Sequence, residues 1–96
     1  MRRLCATMTA TDAITELQRR LATGLARIDP HHRLLGRPVT YRVIDGQMLE
    51  ITYRDVAGIA DAEVNGVKRI IGRDCSCSVS PQTAEQISVR FVVSLR

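Results

Sequence analysis

The stretch from residue 12 to residue 28, DAITELQRRLATGLARI, constrains the fold more than any other part of the chain. At about 100° per residue, its large aliphatic side chains fall on one narrow stripe of a helix, opposite a polar face. The stripe consists of Ile14, Leu17, Leu21, Leu25 and Ile28. This pattern predicts an amphipathic helix that ends before Asp29-Pro30, because the residue preceding a proline avoids helical geometry.

Two local features refine this helix. Thr11, or Thr9 with Asp12 three residues on, is the predicted N-terminal cap, since a side-chain oxygen there accepts hydrogen bonds from early amides that lack a helical partner. Gly24 lies beside the apolar stripe, where glycine costs about 1 kcal/mol of helix stability relative to alanine. We therefore expect the helix backbone to pack closely against a sheet at Gly24.

The hydrophobic period changes from 3.6 to 2 after a connector, HHRLLGRP, at residues 31–38. In VTYRVI at residues 39–44 and QMLEITYR at residues 47–54, apolar side chains alternate with polar ones, as in half-buried strands. Asp45-Gly46 between them is a signal for a tight hairpin turn. These residues predict a β-hairpin.

The next part of the chain is ambiguous. Residues 55–64 are compatible with a short helix or with a strand broken at a glycine. Asn65-Gly66, flanked by valines, is the strongest type I′ turn signal in the chain. We therefore predict two strands joined by this turn, over residues 59–64 and 67–71.

The C-terminal part supplies two more predicted strands. CSCSV at residues 75–79 places the two cysteines and Val79 on one face and the serines on the other. ISVRFVVSL at residues 87–95 alternates most regularly, and five of its side chains are expected to point inward. The five are Ile87, Val89, Phe91, Val93 and Leu95.

Together these elements predict an α+β fold in which one N-terminal helix packs on an antiparallel meander of five or six strands. The sheet is expected to be a curved roll or a partly open barrel. A chain of 96 residues holds one core, so residues 12–96 are predicted to form a single domain. Residues 1–11 are predicted to be a flexible leader, with translation starting at Met1 or Met8.

The positive charge of the chain is concentrated in its first half. Eight arginines and three carboxylates give residues 1–42 a net charge of +5, whereas residues 43–96 carry −1. A cluster at the end of the helix forms a candidate contact for an anion or a nucleic acid. Its members are Arg27, His31, His32, Arg33 and Arg37. The alternative is a solvated basic loop, which we favour because the chain has three aromatic residues and offers no evident stacking platform.

The chain contains three cysteines, an odd number without the spacing of a disulfide framework. This pattern favours a reduced protein located in the cytoplasm. Cys75 and Cys77 have two interpretations: small apolar residues of the core, or ligands of a metal or redox site completed by His31 and His32. We favour the core, because a single C-x-C pair is unlike most structural zinc sites.

No catalytic, cofactor-binding or membrane-spanning motif is present, so an enzyme is unsupported and no cofactor is expected. Our leading hypothesis is a small interaction or assembly module, of the kind found among accessory or structural proteins of phages and mobile elements, which forms a homo-oligomer or binds a protein partner. The first alternative is a nucleic-acid-binding module that uses the Arg/His end of the helix. The second is a small enzyme or ligand-binding roll, with a pocket between helix and sheet lined by Tyr41, Tyr53 and polar strand residues.

Overall fold

Six elements of secondary structure follow one another along residues 10–95, the part of the chain that the computed structural model describes. They are α1 (Ala10–Ile28), β1 (Val39–Ile44), β2 (Met48–Val56), α2 (Asp61–Ile71), β3 (Cys75–Pro81) and β4 (Ile87–Ser94). The four strands form one open antiparallel sheet in the order β1-β2-β4-β3. The α+β class is thus confirmed, but within residues 10–95 the sheet has four strands rather than five or six, and there are two helices rather than one.

The predicted hairpin is confirmed in β1 and β2. Tyr41 lies opposite Ile51 in the register of the two strands, so the two apolar rows share one face of the sheet. Asp45 and Gly46 have φ angles of 54° and 70°. A type I′ turn requires positive φ at both central positions, which these two residues adopt at low cost.

The core lies between the sheet and the two helices. Val89, Phe91 and Val93 of β4 are fully buried, as the alternation of that strand predicts. Phe91 meets Tyr53 of β2 edge to face, with 6.4 Å between the ring centroids. The α1 stripe covers these residues, although Ile28 at its end remains 45% exposed.

The predicted strands at residues 59–64 and 67–71 are wrong, because residues 61–71 form helix α2. Val64, Val67 and Ile71 follow a helical spacing, and the last two are fully buried in the core. Asn65-Gly66, which we interpreted as a turn, lies within this helix. A local turn preference is weaker than the burial of a whole apolar face, so tertiary packing decided the structure of this segment.

Both ends of α2 are stabilised by local hydrogen bonds. The Glu63 carboxylate accepts a 2.9 Å hydrogen bond from the Ala60 amide, which precedes the helix and is one half of a capping box. Gly72 follows the helix in the left-handed conformation, with φ 67°, and its amide donates to the carbonyl of Lys68. Glycine adopts this geometry without a steric penalty.

The two helices pack antiparallel, and each places an isoleucine side chain over a glycine of the other. A Cβ atom at Gly24 of α1 would lie 2.9 Å from Cδ1 of Ile70, and one at Gly66 of α2 would lie 3.3 Å from Cδ1 of Ile28. The close approach predicted at Gly24 is therefore present, but its partner is α2 and not the sheet. At these two glycines the helix backbones approach closely, which leaves little room for a larger side chain at the contact.

The predicted N-terminal details are only partly within the described residues. Helix α1 begins at Ala10, so Thr11 is inside the helix and is wrong as its cap. The Thr11 carbonyl instead accepts a 3.0 Å hydrogen bond from the Thr15 hydroxyl. The alternative cap, Thr9, lies outside the described residues, as does most of the predicted leader, whose last two residues are helical.

The face of the sheet opposite the helices is polar and open. Glu50 of β2 lies there between two arginines, with carboxylate distances of 3.3 Å to Arg42 of β1 and 3.3 Å to Arg90 of β4. Serines of β3 continue this face, and the Arg90 guanidinium donates to the Ser78 hydroxyl at 3.4 Å. Between residues 10 and 95, neither helix is long and apolar enough to cross a membrane.

Candidate functional site

The predicted basic cluster is divided by the structure. Arg27 and His31 lie on the surface at the end of α1, whereas His32 is only 3% exposed. The Leu34 amide donates to Nδ1 of His32 at 3.2 Å, so this nitrogen accepts and the ring proton lies on Nε2. Nε2 in turn donates to the Glu63 carbonyl at 3.2 Å. We therefore assign His32 to the packing of the connector rather than to an anion-binding surface.

Arg33 and Arg37 are held by different parts of the fold. The Arg33 amide donates to the Glu63 carboxylate at 3.0 Å, and the Arg33 guanidinium lies 3.5 Å from the same group. The Arg37 guanidinium donates to the carbonyl of Asp55, at the end of β2, at 3.2 Å. The two arginines thus attach the connector to α2 and to β2, and Arg33 is already paired.

Glu63 connects the connector to the start of α2. Burial alone would raise the pKa of its carboxyl, but the hydrogen bonds from the backbones of Arg33 and Ala60, and the nearby His32 and Arg33 side chains, lower it below its ordinary value. The carboxylate therefore remains ionised, and continues to accept these bonds, to a lower pH than an ordinary glutamate would.

An apolar groove of about 290 Å³ opens between α1, the connector and edge strand β1. Its lining residues are Gln18, Leu21, Ala22, Leu25, Leu34, Leu35, Gly36, Arg37, Val39, Tyr41 and Tyr53. The two tyrosines predicted to line a pocket both line this groove, but the polar strand residues predicted with them do not; the other lining residues come from α1, the connector and Val39 of β1. The sequence gives no sign of the contribution from the connector, because that segment has no hydrophobic period.

The polar groups of the groove are few. Burial raises the pKa of the Tyr41 hydroxyl, and burial together with the neighbouring Tyr41 raises the pKa of Tyr53 far above its usual range. Both phenols are therefore neutral near pH 7 and can donate or accept hydrogen bonds. Arg37 is the one charged residue among those that line the groove.

The free backbone of β1 runs alongside this groove. The Arg54 amide donates to the Pro38 carbonyl at 2.9 Å, which sets the alternation of hydrogen bonds between β1 and β2. Thr40 and Arg42 consequently direct their amide and carbonyl groups toward β2. Val39, Tyr41 and Val43 direct theirs away from the sheet, and their side chains face the helices. The unpaired backbone edge and the apolar groove thus lie next to each other.

A second polar cluster, which the sequence did not suggest, closes the far end of β2. Asp55 has φ 59°, a conformation uncommon for residues other than glycine, at an irregularity in the β2–β4 pairing. Its amide donates to the Gln82 side chain at 3.0 Å, and the Gln82 amide group donates back to the Asp55 carboxylate. Ser88 also donates to Gln82 at 3.0 Å. This cluster joins the end of β2 to the β3–β4 loop.

The two described cysteines lie on the inner face of edge strand β3, half-buried against the core. Burial raises the pKa of both thiols, and Lys68 of α2 partly counteracts it. Across residues 10–95, no three His, Cys, Asp or Glu side chains come together in a way that would hold a metal ion. Cys5 lies outside the described residues.

Comparisons with protein families, with curated proteins and with solved structures find no significant match to this chain. What the chain does is therefore inferred from its groove, its edge strands and the charges beside them.

Proposed function

We propose that this chain is a protein-binding module that adds an extended segment of a partner to the edge of its sheet at β1. The observation that carries the proposal is the position of the groove directly beside the outward-facing backbone of Val39, Tyr41 and Val43. In strand addition, main-chain hydrogen bonds provide affinity, and pockets for alternate side chains provide specificity.

The geometry of a strand matches this arrangement. A partner strand lies about 4.8 Å from β1, and its side chains point alternately to the two faces of the sheet. Every second side chain of the partner would therefore enter the groove between β1 and α1, where the leucines of α1 and the connector would surround it. The intervening side chains would lie on the open face, next to Arg42.

The charges indicate what kind of segment would bind. Arg37 lines the groove, and Arg42 lies on the outer face of β1, where it shares Glu50 with Arg90. A segment that alternates apolar residues with Asp or Glu would place its apolar side chains in the groove and its carboxylates beside Arg42. The nucleic-acid alternative has less support, because His32 is buried and Arg33 is paired with Glu63.

Fluorescence anisotropy with two short labelled peptides tests the proposal. In the first peptide, valine alternates with aspartate, and in the second, valine alternates with lysine. We expect the acidic peptide to bind at least about tenfold more tightly. Replacing Arg42 with alanine should weaken its binding roughly fivefold, which corresponds to about 1 kcal/mol for an exposed charge pair.

A backbone variant separates strand addition from general attraction of charge. Val39→Pro removes an amide that points away from the sheet, and proline is tolerated at the first residue of an edge strand. It should abolish peptide binding while leaving the β1–β2 ladder intact. Equal affinity for both peptides, or unchanged binding by Val39→Pro, would contradict the proposal. Binding of a labelled DNA duplex that the acidic peptide fails to displace would favour the nucleic-acid alternative instead.

A further inference from the structure

The opposite edge of the sheet, β3, has a different character from β1. Its sequence, CSCSVSP, contains no charged residue, and Val79 on its inner face is 49% exposed. The Ser94 amide donates to the Asp74 carbonyl at 3.0 Å, which sets the alternation along this strand. Ser76, Ser78 and Ser80 therefore bond to β4. Cys75, Cys77 and Val79 direct their amide and carbonyl groups away from the sheet.

We infer that β3 is a self-association edge, which pairs antiparallel with β3 of a second copy of this chain about a two-fold axis at Cys77. The two four-stranded sheets would then continue as one eight-stranded sheet, with all helices on the same face. This inference concerns β3, at the opposite edge of the sheet from the β1 groove, and it does not depend on the proposed peptide binding.

The backbone selects one register. Only Cys75, Cys77 and Val79 offer both an amide and a carbonyl to a neighbour, because Pro81 has no amide hydrogen. Centring the axis on Cys77 places Cys75 opposite Val79 of the second copy and Cys77 opposite its own equivalent. Shifting the axis to Ser78 would set Cys75 against Pro81, which would leave the Cys75 carbonyl without a donor and bring the proline ring into the pairing. The register centred on Cys77 is thus the one in which every amide and carbonyl of Cys75, Cys77 and Val79 has a partner within β3 of the second copy.

The side chains agree with this register. A shallow groove of about 510 Å³ runs between β3 and α2 beside Cys77 and the exposed Val79. In the paired sheet, Cys75 and Cys77 of the second copy would lie next to these side chains on the same face, and they would remove Val79 from water. The serines would pair on the open face, where their small side chains do not clash.

The charges of α2 identify the occupant as a second copy. Asp61, in the first turn of α2, and Lys68, in its last turn, both line the β3–α2 groove. The charge of Lys68 acts on both cysteine thiols, and Asp61 lies about two turns earlier on α2. A two-fold axis at Cys77 reverses one copy, so Lys68 of each copy faces Asp61 of the other. The uncharged strand between them allows two chains of net charge +4 to approach there.

Disulfide trapping tests the register. Opposed residues in a hydrogen-bonded antiparallel pair have Cα atoms about 5.5 Å apart, within the range of a disulfide. The double variant Cys5→Ser, Cys75→Ser keeps only Cys77. With diamide, which accepts the two hydrogens that the thiols lose, it should form a covalent dimer rapidly. The matched variant Cys5→Ser, Cys77→Ser keeps only Cys75, which would lie four residues from its equivalent, and it should remain a monomer.

Light scattering during size exclusion tests the association itself. The unmodified protein is expected to have twice the 10.7 kDa mass of one chain, at both low and high salt. Val79→Pro removes one outward amide without affecting a bond to β4, and it should halve the mass while circular dichroism stays unchanged. Val39→Pro, on the other edge, is the matched control and should remain a dimer.

Four results would overturn the inference. The first is a monomer of the unmodified protein at every concentration tested. The second is a dimer that survives Val79→Pro, which would place the interface elsewhere. The third is equally fast trapping of Cys75 and Cys77, which would exclude the two-fold axis at Cys77. Loss of the dimer in Val39→Pro would assign self-association to β1 and would also overturn it.

Discussion

Ile70 of α2 lies directly over Gly24 of α1, so that a Cβ atom at Gly24 would be 2.9 Å from Cδ1 and 3.0 Å from Cγ1 of Ile70. No relaxed Cβ contact is that short, so the absence of a side chain at Gly24 sets the distance between the two helices. Since α2 in turn contributes Val67 and Ile71 to the core, this contact links the position of both helices to the packing of the sheet.

Gly24→Ala should therefore lower the free energy of unfolding by about 1 kcal/mol, even though alanine is the better helix former, because overpacking costs more than the propensity gains. Combining it with Ile70→Ala removes the clash. We expect the double variant to be about 1 kcal/mol more stable than the sum of the single changes implies. Urea denaturation of the four proteins in this cycle measures the coupling.

Gly66→Ala is the matched control for that cycle. Its new Cβ would lie 3.3 Å from Cδ1 of Ile28, whose partly exposed side chain is able to move. The substitution should raise the free energy of unfolding by about 0.5–1 kcal/mol through helix propensity. Equal effects at Gly24 and Gly66 would show that the contact with Ile70 does not set the helix distance.

Glu63→Gln should reduce stability at neutral pH by about 1–2 kcal/mol, because the amide replaces a carboxylate that accepts two backbone hydrogen bonds. The folded state lowers the pKa of Glu63, so its contribution is complete above its ordinary value of 4.5 and is lost as the pH falls below it. The stability of the variant should accordingly fall less than that of the unmodified protein as the pH is lowered. Urea denaturation from neutral pH to about pH 3 measures how the free energy of unfolding changes with pH in the unmodified protein and in Glu63→Gln. The same dependence on pH in both proteins would contradict this assignment.

Tyr53→Phe should make stability less sensitive to alkali. Folding raises the pKa of Tyr53 above its ordinary value of 10.0, so the stabilisation by the neutral phenol is complete below that pH and is lost as the pH rises through and above it. Removing the hydroxyl removes this loss. Denaturation curves on both sides of about pH 10 check it, with Tyr41→Phe as a control for a less buried phenol.

Asp55→Gly and Asp55→Ala separate backbone strain from hydrogen bonding at the end of β2. Both lose the bond between the carboxylate and Gln82, but only alanine also pays for the positive φ of 59°. We expect alanine to cost about 1–2 kcal/mol and glycine about 1 kcal/mol less. Thermal unfolding monitored by circular dichroism gives the order, and a glycine variant less stable than alanine would show that the φ angle carries no penalty.

The elements that were predicted correctly have local causes. The α1 stripe and the 39–54 hairpin are each contained in one short stretch, where side-chain period and turn residues agree. Helix α2 was missed because Asn65-Gly66 is a strong turn signal when taken alone. Its valines fit both a strand and a helix, and the evidence that favours a helix, namely Glu63 at its start and Gly72 after its end, lies outside the dipeptide.

The candidate site depends more than these elements do on contacts between residues that are far apart in the chain. The sequence placed Tyr41 and Tyr53 on one face, but it did not reveal that the connector closes one wall of the groove. It also grouped His32 with the surface arginines, whereas the ring is buried between the Leu34 amide and the Glu63 carbonyl. A histidine beside two basic residues gives the same sequence pattern whether its ring is buried or exposed.

The apolar faces of α1 and of the strands can be read from the amino-acid order alone, because they follow from the period of the side chains along the backbone. The strand order β1-β2-β4-β3, and with it the identity of the edge strands, depends on contacts between distant parts of the chain. The pairing of β2 with β4 joins residues far apart in the chain, and its free energy comes from burying side chains of both hairpins and both helices together. No local sequence pattern indicates this total free energy, so the strand order could not be predicted from the sequence.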